Sequence, residues 1–346
     1  MTRRLRVAVL LGGRSSEHEI SQASARSVIE ALAARHDVVT VAIGRDGRWE
    51  LGTGSPPALG TGAPPQLEHG APKQTLPVVG GNGVATTLME IDVVFPVLHG
   101  PFGEDGTVQG LLELADLPYV GAGVLGSALC MDKSVVKDVL RANDIPVARS
   151  VTLREGDPVE HPFAYPLFVK PARLGSSVGI TKVHDESELV PAVELARGHD
   201  EKVLVEELIE GIEVECSVLG NRDPVASLPG QIVAHAEWYD FHAKYDEGGM
   251  ELRVPPDLPQ ETIEAVQRTA VRAFVVTDCE GMARVDCFVR PDGEVVVNEL
   301  NTIPGFTATS VYAKLFDASG LPYGELLEQL LALALERHER RRRQAF

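Results

Sequence analysis

Residues 284–305, RVDCFVRPDGEVVVNELNTIPG, carry the strongest structural signal in the chain. Two runs rich in β-branched residues flank Pro-Asp-Gly, which predicts an antiparallel hairpin closed by a tight turn. Glu299 and Asn301 are two residues apart and therefore share a face of the second strand, while Asp286 lies on the first strand two positions after Arg284. Oxygen ligands on adjoining strands suit Mg²⁺, which also takes phosphate oxygens and water. A solvated polar face would show the same spacing, but the Pro-Gly turn that follows favours the metal site, because its backbone N–H groups would lie beside it.

A second segment, KPARLGSSVGI at residues 170–180, places a lysine at the end of a predicted strand and a Gly-Ser loop after it. This donor-rich loop could lie over phosphates, although Gly-Ser runs are more often ordinary loops. It is not a Walker A motif, because the lysine comes first and the pattern GxxxxGK[ST] is absent from it. Together with the hairpin, Lys170 and its loop indicate a nucleotide site.

The N-terminal third predicts an open α/β domain. A continuous apolar run at residues 5–11 ends at Gly-Gly, and helical spacing follows over 20–34, as in a buried parallel strand that leads into a helix. Further strands are predicted at 38–43 and 91–98. Between them, residues 44–88 hold much of the glycine and proline of the chain and predict a surface insertion with little regular structure.

The rest of the chain predicts α+β units. Asp132 is a candidate N-cap for a helix in which four residues would face the core: Val135, Val136, Val139 and Leu140. A second helix is predicted near 186–197, and a Gly-containing loop near 238–256. The long and weakly apolar loop predicts a mobile lid over a site.

Composition excludes several classes of protein. The 346 residues include 50 acidic and 32 basic side chains, and the net charge of −18 would repel a nucleic-acid backbone. No apolar stretch approaches the ~20 residues that cross a bilayer, and the N-terminus lacks the pattern of a signal peptide. The four cysteines are widely spaced in apolar sequence and predict buried thiols. We therefore expect a cytoplasmic protein with neither nucleic-acid nor membrane partners.

Four blocks of sequence occur in a fixed order: GGRSSEHEISQASA at 12–25, LHGPFGEDGTVQGLLELADLPYVGAG at 98–123, KPARLGSSVGI at 170–180 and NELNTIPGFTATS at 298–310. Together they make the chain resemble the D-alanine–D-alanine ligases of the ATP-grasp superfamily, over about residues 5–333. The resemblance implies a mixed α/β and α+β architecture, the ATP-grasp fold with an N-terminal open α/β domain. The implied domains are residues 1–121 with the first D-alanine side of the site, a central ATP-grasp subdomain at 122–205, and 206–346 with the metal site and the lid loop.

The resemblance also implies where ATP and metal ions bind. The implied ATP ligands are Lys133 and Lys170 at the phosphates, Ser177 in the Gly-Ser loop, Lys244 at the γ-phosphate, Glu206, Glu207, Leu208 and Ile209 along the adenine, and Glu213 at the ribose. The implied metal ligands are Asp286, Glu299 and Asn301, which would hold two Mg²⁺ ions, with Mn²⁺ as an alternative ion.

On the amino-acid side, the resemblance implies a set of substrate contacts. Glu17 would bind the ammonium of the first D-alanine, with His99 close by, and Ser176 and Tyr245 would hydrogen-bond towards Glu17. Arg284 and the backbone N–H of Gly305 would hold the tetrahedral oxyanion. Ser310 would bind the carboxylate of the second D-alanine. Structural roles remain open for three of these residues. His99 could cap a strand end, Glu17 could be a first-turn carboxylate favoured by a helix dipole, and Tyr245 could be a packing aromatic.

The implied reaction is the ATP-dependent ligation of two D-alanines through an acyl phosphate, with no covalent protein nucleophile. The main alternative is a D-alanine–D-lactate ligase or another carboxylate–amine ligase of the superfamily, and Tyr245 favours D-alanine over D-lactate. A non-catalytic nucleotide-binding module would lack metal ligands or Arg284, and a dinucleotide-binding protein would need a GxGxxG motif after its first strand. A homodimer is expected from the resemblance alone.

Overall fold

The computed structural model describes residues 3–52, 91–176, 178–234 and 250–344. Within these residues, the strands form three sheets of four, six and four strands. One sheet belongs to the N-terminal part of the chain, one to the middle and one to the C-terminal part. The mixed α/β class predicted from the sequence is confirmed.

The N-terminal sheet has the strand order β3-β2-β1-β4. Its elements are β1 (Arg6–Gly12), α1 (His18–Ala33), β2 (Asp37–Ile43), β3 (Trp49–Gly52), β4 (Val93–Val97) and α2 (Thr107–Leu114). Strand β1 runs parallel to β2 and β4 and is buried at six of its seven residues. Val7 and Val9 pack towards α1, and Ala8 and Leu10 pack towards α2 on the other face, which explains the continuous apolar run. The antiparallel edge strand β3 was not predicted, and it lies at the start of the segment expected to be irregular.

The central sheet has the order β5-β8-β6-β7, and its neighbouring strands are antiparallel. The elements of this part are α3 (Val124–Met131), α4 (Lys133–Ala142), β5 (Ser150–Leu153), β6 (Leu167–Pro171), β7 (Thr181–Val183), α5 (Glu186–Arg197) and β8 (Val203–Glu207). Helix α5 packs Leu189 and Val193 against the sheet. Strand β8 ends at Glu207, two residues beyond the boundary predicted for the central domain.

The C-terminal sheet has the order β12-β11-β9-β13-β14, with β10 beside β9. Its elements are β9 (Ile212–Gly220), β10 (Val225–Ala226), β11 (Gly230–Ala234), β12 (Met250–Arg253), α6 (Gln260–Val276), β13 (Gly281–Val289), β14 (Val295–Asn301), α7 (Val311–Ala318) and α8 (Tyr323–Arg342). Strands β13 and β14 form the predicted hairpin, with a register shift after Asp286. The hairpin places Asp286 opposite Glu299, and Arg284 opposite Asn301.

Helix α4 corrects one prediction. Asp132 caps the helix as predicted, since its carboxylate accepts hydrogen bonds of 3.1 Å from two backbone N–H groups. Val135, however, is 42% exposed, whereas Lys133 and Lys137 are buried. The side of α4 that faces the interior therefore carries two ammonium groups, which are paired with carboxylates from distant strands.

The loop predicted near 238–256 is also corrected in part. Residues 250–253 form β12, which pairs antiparallel with β11 at the edge of the sheet. The alternating apolar and polar residues Met-Glu-Leu-Arg fit such a half-exposed strand. Residues 238–249 of the predicted loop lie outside the described residues, as do residues 53–88 of the predicted insertion.

The N-terminal and C-terminal parts share a hydrophobic core. Leu326 and Leu330 of α8 pack in one cluster with Val7 of β1 and Val28 of α1, and Phe306 joins the same cluster. All four cysteines are free and buried, as predicted. Among the described residues, no helix combines the length and apolar character that a membrane span needs.

Candidate active site

Glu17 lies where three segments meet. It immediately precedes α1 and is only 8% exposed. Its carboxylate accepts a hydrogen bond from the hydroxyl of Ser176, in the Gly-Ser loop of the central part. Gly100 approaches from a third side with φ +74°, and a Cβ there would lie 2.8 Å from Glu17 Oε2. Only glycine fits this position, because a side chain would both strain the backbone and collide with the carboxylate.

His99 connects the N-terminal part to the segment after β14. Its Nδ1 lies 2.9 Å from the carbonyl oxygen of Ile303, and its Nε2 lies 3.4 Å from Ser24 Oγ. Burial lowers the pKa of His99 and outweighs the attraction of Glu17, so the neutral imidazole is favoured. The ring is therefore an oriented group beside Glu17, held by contacts from both parts of the chain.

Glu104 is a residue that the sequence analysis did not select. It accepts hydrogen bonds from the backbone N–H of Gly100 at 2.8 Å and of Ile303 at 3.4 Å. Burial, together with the nearby charge of Glu17, raises the pKa of Glu104 to about 8. The available signal was the acidic pair in HGPFGEDG, but its significance depends on Glu17, which is far away in sequence.

Lys133 joins the Gly-Ser loop to the C-terminal sheet. Its ammonium donates to the carbonyl oxygen of Leu174 at 2.8 Å and lies 3.0 Å from Glu299 Oε2. Burial opposes the charged form, but Glu299 outweighs it and raises the pKa of Lys133. A permanent positive charge thus lies between the donor-rich loop and a predicted metal ligand, where the phosphates of a nucleotide could be neutralised.

Lys170, the residue before the end of β6, lies beside Glu206 of β8, and a second lysine, Lys137, completes the cluster. The Lys170 ammonium donates to Glu206 Oε1 at 2.7 Å, and the Lys137 ammonium lies 2.8 Å from Glu206 Oε2. Burial alone would raise the pKa of Glu206, but Lys137 and Lys170 lower it to about 2. Lys137 was not predicted as a site residue, because helical spacing alone does not indicate that a lysine is buried.

The remaining residues of the predicted adenine strand differ in orientation. Glu207 follows Glu206 along β8, so the two side chains point to opposite faces of the sheet. The Glu207 carboxylate accepts hydrogen bonds of 2.9 and 2.7 Å from the backbone N–H and the side chain of Arg149. A contact of Glu207 with adenine would therefore use its backbone. Leu208 is partly exposed and Ile209 is buried. Glu213, the predicted ribose ligand, is partly exposed on β9, two positions before Glu215.

Three carboxylates lie in a row across β9, β13 and β14, where Glu215, Asp286 and Glu299 occupy opposed positions. Arg284 donates to both oxygens of Asp286 at 2.7 Å and lies 2.9 Å from Glu215. Burial disfavours the charged guanidinium, but Asp286 and Glu215 more than compensate and hold the pKa of Arg284 well above its usual range. Glu215 was not predicted as a site residue, although its period-2 spacing from Glu213 placed both on one face of the strand.

The donor set fits Mg²⁺ in combination with substrate phosphates. Asp286 and Glu299 face each other across the hairpin, and Asn301 Nδ2 donates to Asp286 Oδ2 at 2.9 Å. No group of three or more His, Cys, Asp or Glu side chains in the described part of the chain forms a complete metal site by itself. That agrees with the chemistry of Mg²⁺, which is usually held by one or two carboxylates plus phosphate oxygens and water.

Gly305 and Ser310 lie on the turn between β14 and α7. A Cβ at Gly305 would lie 3.3 Å from Ser310 Oγ, so the two residues are close neighbours. Ser310 Oγ accepts a hydrogen bond of 3.0 Å from the backbone N–H of Thr307. Ser310 is the N-cap of α7, and the helix start offers further backbone N–H groups to a carboxylate.

Three predicted site residues, Ser177, Lys244 and Tyr245, lie outside the described residues. A cavity of about 580 Å³ between α8 and the segment 113–119 contains none of the predicted site residues. Its arginines include Arg341 and Arg342, which pair with Glu113 and Asp116. We therefore assign the site to the groups around Lys133 and not to this cavity.

Family models match most of the chain. A model described as "D-ala D-ala ligase N-terminus" matches residues 6–122, and one described as "D-ala D-ala ligase C-terminus" matches residues 139–332. A D-alanine–D-alanine ligase of Solibacter usitatus is 46% identical over 344 residues, which cover 98% of each chain. A D-alanine–D-alanine ligase A of Mesorhizobium japonicum is 46% identical over 359 residues, covering 99% of this chain and 100% of its own.

Solved structures agree with the family models. The D-alanine–D-alanine ligase of Coxiella burnetii matches with a TM-score of 0.84 and 39% identity, covering 99% of this chain and 97% of its own. The VanG D-Ala:D-Ser ligase of Enterococcus faecalis matches with a TM-score of 0.82 and 36% identity, covering 96% and 100%. The Bacillus anthracis D-alanine–D-alanine ligase complexed with ATP has a TM-score of 0.74 and 27% identity, covering 97% and 99%.

Proposed function

The chain belongs to the D-alanine–D-alanine ligase family and joins two D-alanine molecules at the expense of ATP, and we propose how its side chains divide this reaction. The dipeptide serves peptidoglycan synthesis. One observation carries the assignment of roles: the buried ammonium of Lys133 contacts both the carbonyl oxygen of Leu174 and Glu299. This contact supports placing the phosphates of ATP beside Lys133, near the Gly-Ser loop and the proposed metal ligands.

In the first step, the carboxylate of the first D-alanine attacks the γ-phosphorus of ATP, which gives an acyl phosphate and ADP. Both reactants are anionic, so Lys133 lowers the repulsion between them, while Lys170, whose ammonium binds Glu206 at the adenine, meets the phosphates nearest the base. Glu17 binds the ammonium of this D-alanine, and Ser176 fixes the Glu17 carboxylate through its hydrogen bond. These contacts hold the attacking carboxylate in position.

In the second step, the amine of the second D-alanine attacks the acyl carbon, and phosphate leaves from the tetrahedral intermediate. Arg284 and the backbone N–H of Gly305 hold the oxyanion, and Ser310 holds the carboxylate of the second D-alanine. Removal of one such oxyanion donor typically costs ~3 kcal/mol or more. His99 is neutral, is oriented by the carbonyl oxygen of Ile303 and lies near Glu17.

Asp286, Glu299 and Asn301 would hold two Mg²⁺ ions, with Mn²⁺ as an alternative. Bound there, the ions would neutralise the phosphate oxygens as Lewis acids. Glu206, the backbone of Glu207, Leu208 and Ile209 would bind the adenine, and Glu213 the ribose. Ser177, Lys244 and Tyr245 keep the roles expected from the sequence, at the phosphates and on the lid.

The proposed active form is a cytoplasmic homodimer. Leu114 of α2 is 91% exposed and Leu125 of α3 is 62% exposed. Gly110 lies in α2 one turn before Leu114, and no atom outside the local helix backbone lies within 4 Å of where its Cβ would be. A glycine inside a helix lowers the stability of the helix by about 1 kcal/mol relative to alanine. Close approach of a second copy of the chain would explain why a glycine stands at this position. The Glu113–Arg341 ion pair adjoins Leu114, and because its two charges balance, two copies can meet there without net repulsion.

The proposed function is tested with the full chain, ATP and Mg²⁺. Phosphate release should require D-alanine, and mass spectrometry should detect D-alanyl-D-alanine. D-Lactate and D-serine should compete poorly with D-alanine as the second substrate near neutral pH. Phosphate release without dipeptide, or a product that contains mainly D-lactate or D-serine, would overturn the assignment.

A further inference from the structure

Lys137 is a charged residue with no place in the reaction described above. It lies on α4 one turn after Lys133, and its side chain has 0% exposure. Its ammonium is 2.8 Å from Glu206 Oε2, while the ammonium of Lys170 binds Glu206 Oε1 at 2.7 Å. One buried carboxylate is therefore held between two ammonium groups, one from α4 and one from β6.

The three side chains differ in their access to ligands. Those of Lys170 and Glu206 are 7% and 6% exposed, whereas that of Lys137 has no exposure at all. A nucleotide could therefore contact Lys170 or Glu206, but Lys137 only through Glu206. Burying an ammonium group costs several kcal/mol, and an apolar side chain of similar volume would often be at least as stable. The buried ammonium of Lys137 thus lowers stability, and its neutralisation of the Glu206 carboxylate can explain why a lysine stands at this position.

The Lys170–Glu206 pair presents a donor beside an acceptor. Lysine can only donate, and an ionised carboxylate can only accept. Adenine shows the complementary pattern on one edge, with N7 as acceptor and the N6 amino group as donor, whereas guanine shows two acceptors there, N7 and O6. An ionised Glu206 would pair with the adenine amino group and repel the O6 of guanine.

We propose that Lys137 is a positioning residue that sets the base preference of the nucleotide site, by holding Glu206 as an ionised acceptor beside Lys170. This inference rests on the proposed placement of the adenine at Glu206. The charged groups that face Glu206 are Lys133 and Lys137 from α4 and Lys170 from β6, while β5 places Ser150 opposite it. Without Lys137, burial would favour a protonated Glu206, which could donate to the O6 of guanine.

The test is the equilibrium binding of ATP and of GTP to the full chain with Mg²⁺, by calorimetry at pH 6.5 and pH 8.5. The unmodified protein should prefer ATP by tenfold or more at both pH values, since a hydrogen bond to a charged group is worth about that much. In Lys137→Met, the preference should fall at least fivefold at pH 6.5 and recover towards pH 8.5, as Glu206 ionises. Arg141→Met removes a positive charge from the exposed side of the same helix and should leave the preference unchanged.

Several results would overturn the proposal. These are an unmodified protein without base preference, equal loss of ATP and GTP binding in Lys137→Met, or a preference that stays intact in that variant. If Lys137→Met does not fold, Glu206→Gln provides the second test, because its amide can donate to O6 and should relax the preference equally at both pH values. Dipeptide synthesis is measured separately, so failure of the ligase assignment is distinguishable from failure of the role of Lys137.

Discussion

The ammonium of Lys133 lies 3.0 Å from Glu299 Oε2, so a buried cation contacts the carboxylate that is proposed to bind metal. The two residues come from α4 in the central part of the chain and β14 in the C-terminal part. Phosphate groups bound beside this pair would be neutralised from two sides, by the lysine and by metal ions at Glu299. Changes at Glu299 should therefore lower both turnover and stability, because Lys133 also loses the carboxylate that neutralises it.

Glu299→Gln should lower turnover about 100-fold or more, because the charge that holds the metal ion is lost and metal ions contribute several kcal/mol to such reactions. The dependence of the rate on Mg²⁺ concentration should also shift to higher concentrations. Glu294→Gln, at the exposed turn of the same hairpin, should behave like the unmodified protein. Unchanged turnover and Mg²⁺ dependence in Glu299→Gln would exclude Glu299 as a metal ligand.

Arg284→Met should lower kcat by about 100-fold or more while changing KM for ATP little, because the proposed contact forms with the oxyanion of the second step. Arg284 also neutralises Asp286 and Glu215, so thermal unfolding must be measured alongside the kinetics. Arg284→Lys keeps the charge and should retain more of the stability than Arg284→Met. A defect confined to KM for ATP would contradict the transition-state role.

Ser176→Ala removes the hydrogen bond from the Gly-Ser loop to Glu17. Hydrogen bonds to charged groups contribute about 1.5–3 kcal/mol, so kcat/KM for the first D-alanine should fall at least tenfold. Ser187→Ala makes the same change at the exposed start of α5, where the hydroxyl bonds to Asp185, and should leave the kinetics unchanged. Equal kinetics for both variants would show that the Ser176–Glu17 bond does not position substrate.

Sequence analysis predicted most of the fold but not the partners of buried charges. The helix after Asp132 was correctly placed, yet the rule that apolar residues face the core assigned Val135 to the interior, where Lys133 and Lys137 lie instead. Those lysines are buried because Glu299 and Glu206 neutralise them, and both carboxylates come from strands that are distant in sequence. Helical periodicity contains no information about such partners.

The candidate site shows the same division. The quoted motifs selected Lys170 and Asp286 by their spacing, whereas Glu17 was selected only through the resemblance to the ligase family. Glu104 was not selected, because a carboxylate at a loop acquires an unusual pKa only after folding brings Glu17 close to it. Sequence patterns therefore could not predict the contacts that form only when the three sheets come together.

The raised pKa of Glu104, about 8, gives a pH dependence of stability with a defined sign. Between pH 4.5 and 8 the folded protein binds more protons at this group than the unfolded chain does. The contribution of Glu104 to the free energy of unfolding is therefore complete below pH 4.5 and is lost as the pH rises through 8, by at most about 1.4 kcal/mol per pH unit. Glu104→Gln should remove this decline, so the variant should gain stability relative to the unmodified protein as the pH rises.

Chemical denaturation at pH 5, 6, 7 and 8 measures this effect. Glu113→Gln is a control in which the effect on stability should have the opposite sign, because the pKa of Glu113 is lowered and not raised. Burial would raise the pKa of Glu113, but hydrogen bonds from Tyr119 and Arg341 outweigh burial and lower it. This second variant should be less stable than the unmodified protein at pH 8, because it loses an ionised, paired carboxylate. Parallel stability curves for Glu104→Gln and the unmodified protein would contradict the raised pKa of Glu104.

Leu114 of α2 and Leu125 of α3 are the exposed leucines of the proposed dimer contact. Leu114→Glu should shift the protein from dimer to monomer, because two copies would bring like charges together in a buried contact. Gly110→Ala should raise the helix propensity of α2 but weaken the dimer, since a methyl group would then occupy the space of the second copy. Leu195→Glu introduces the same charge on α5, where the leucine is 53% exposed, and should leave the oligomeric state unchanged. Sedimentation velocity at several protein concentrations distinguishes these outcomes. A dimer that persists in Leu114→Glu, or a Gly110→Ala variant that is more stable and equally dimeric, would show that α2 does not form the contact.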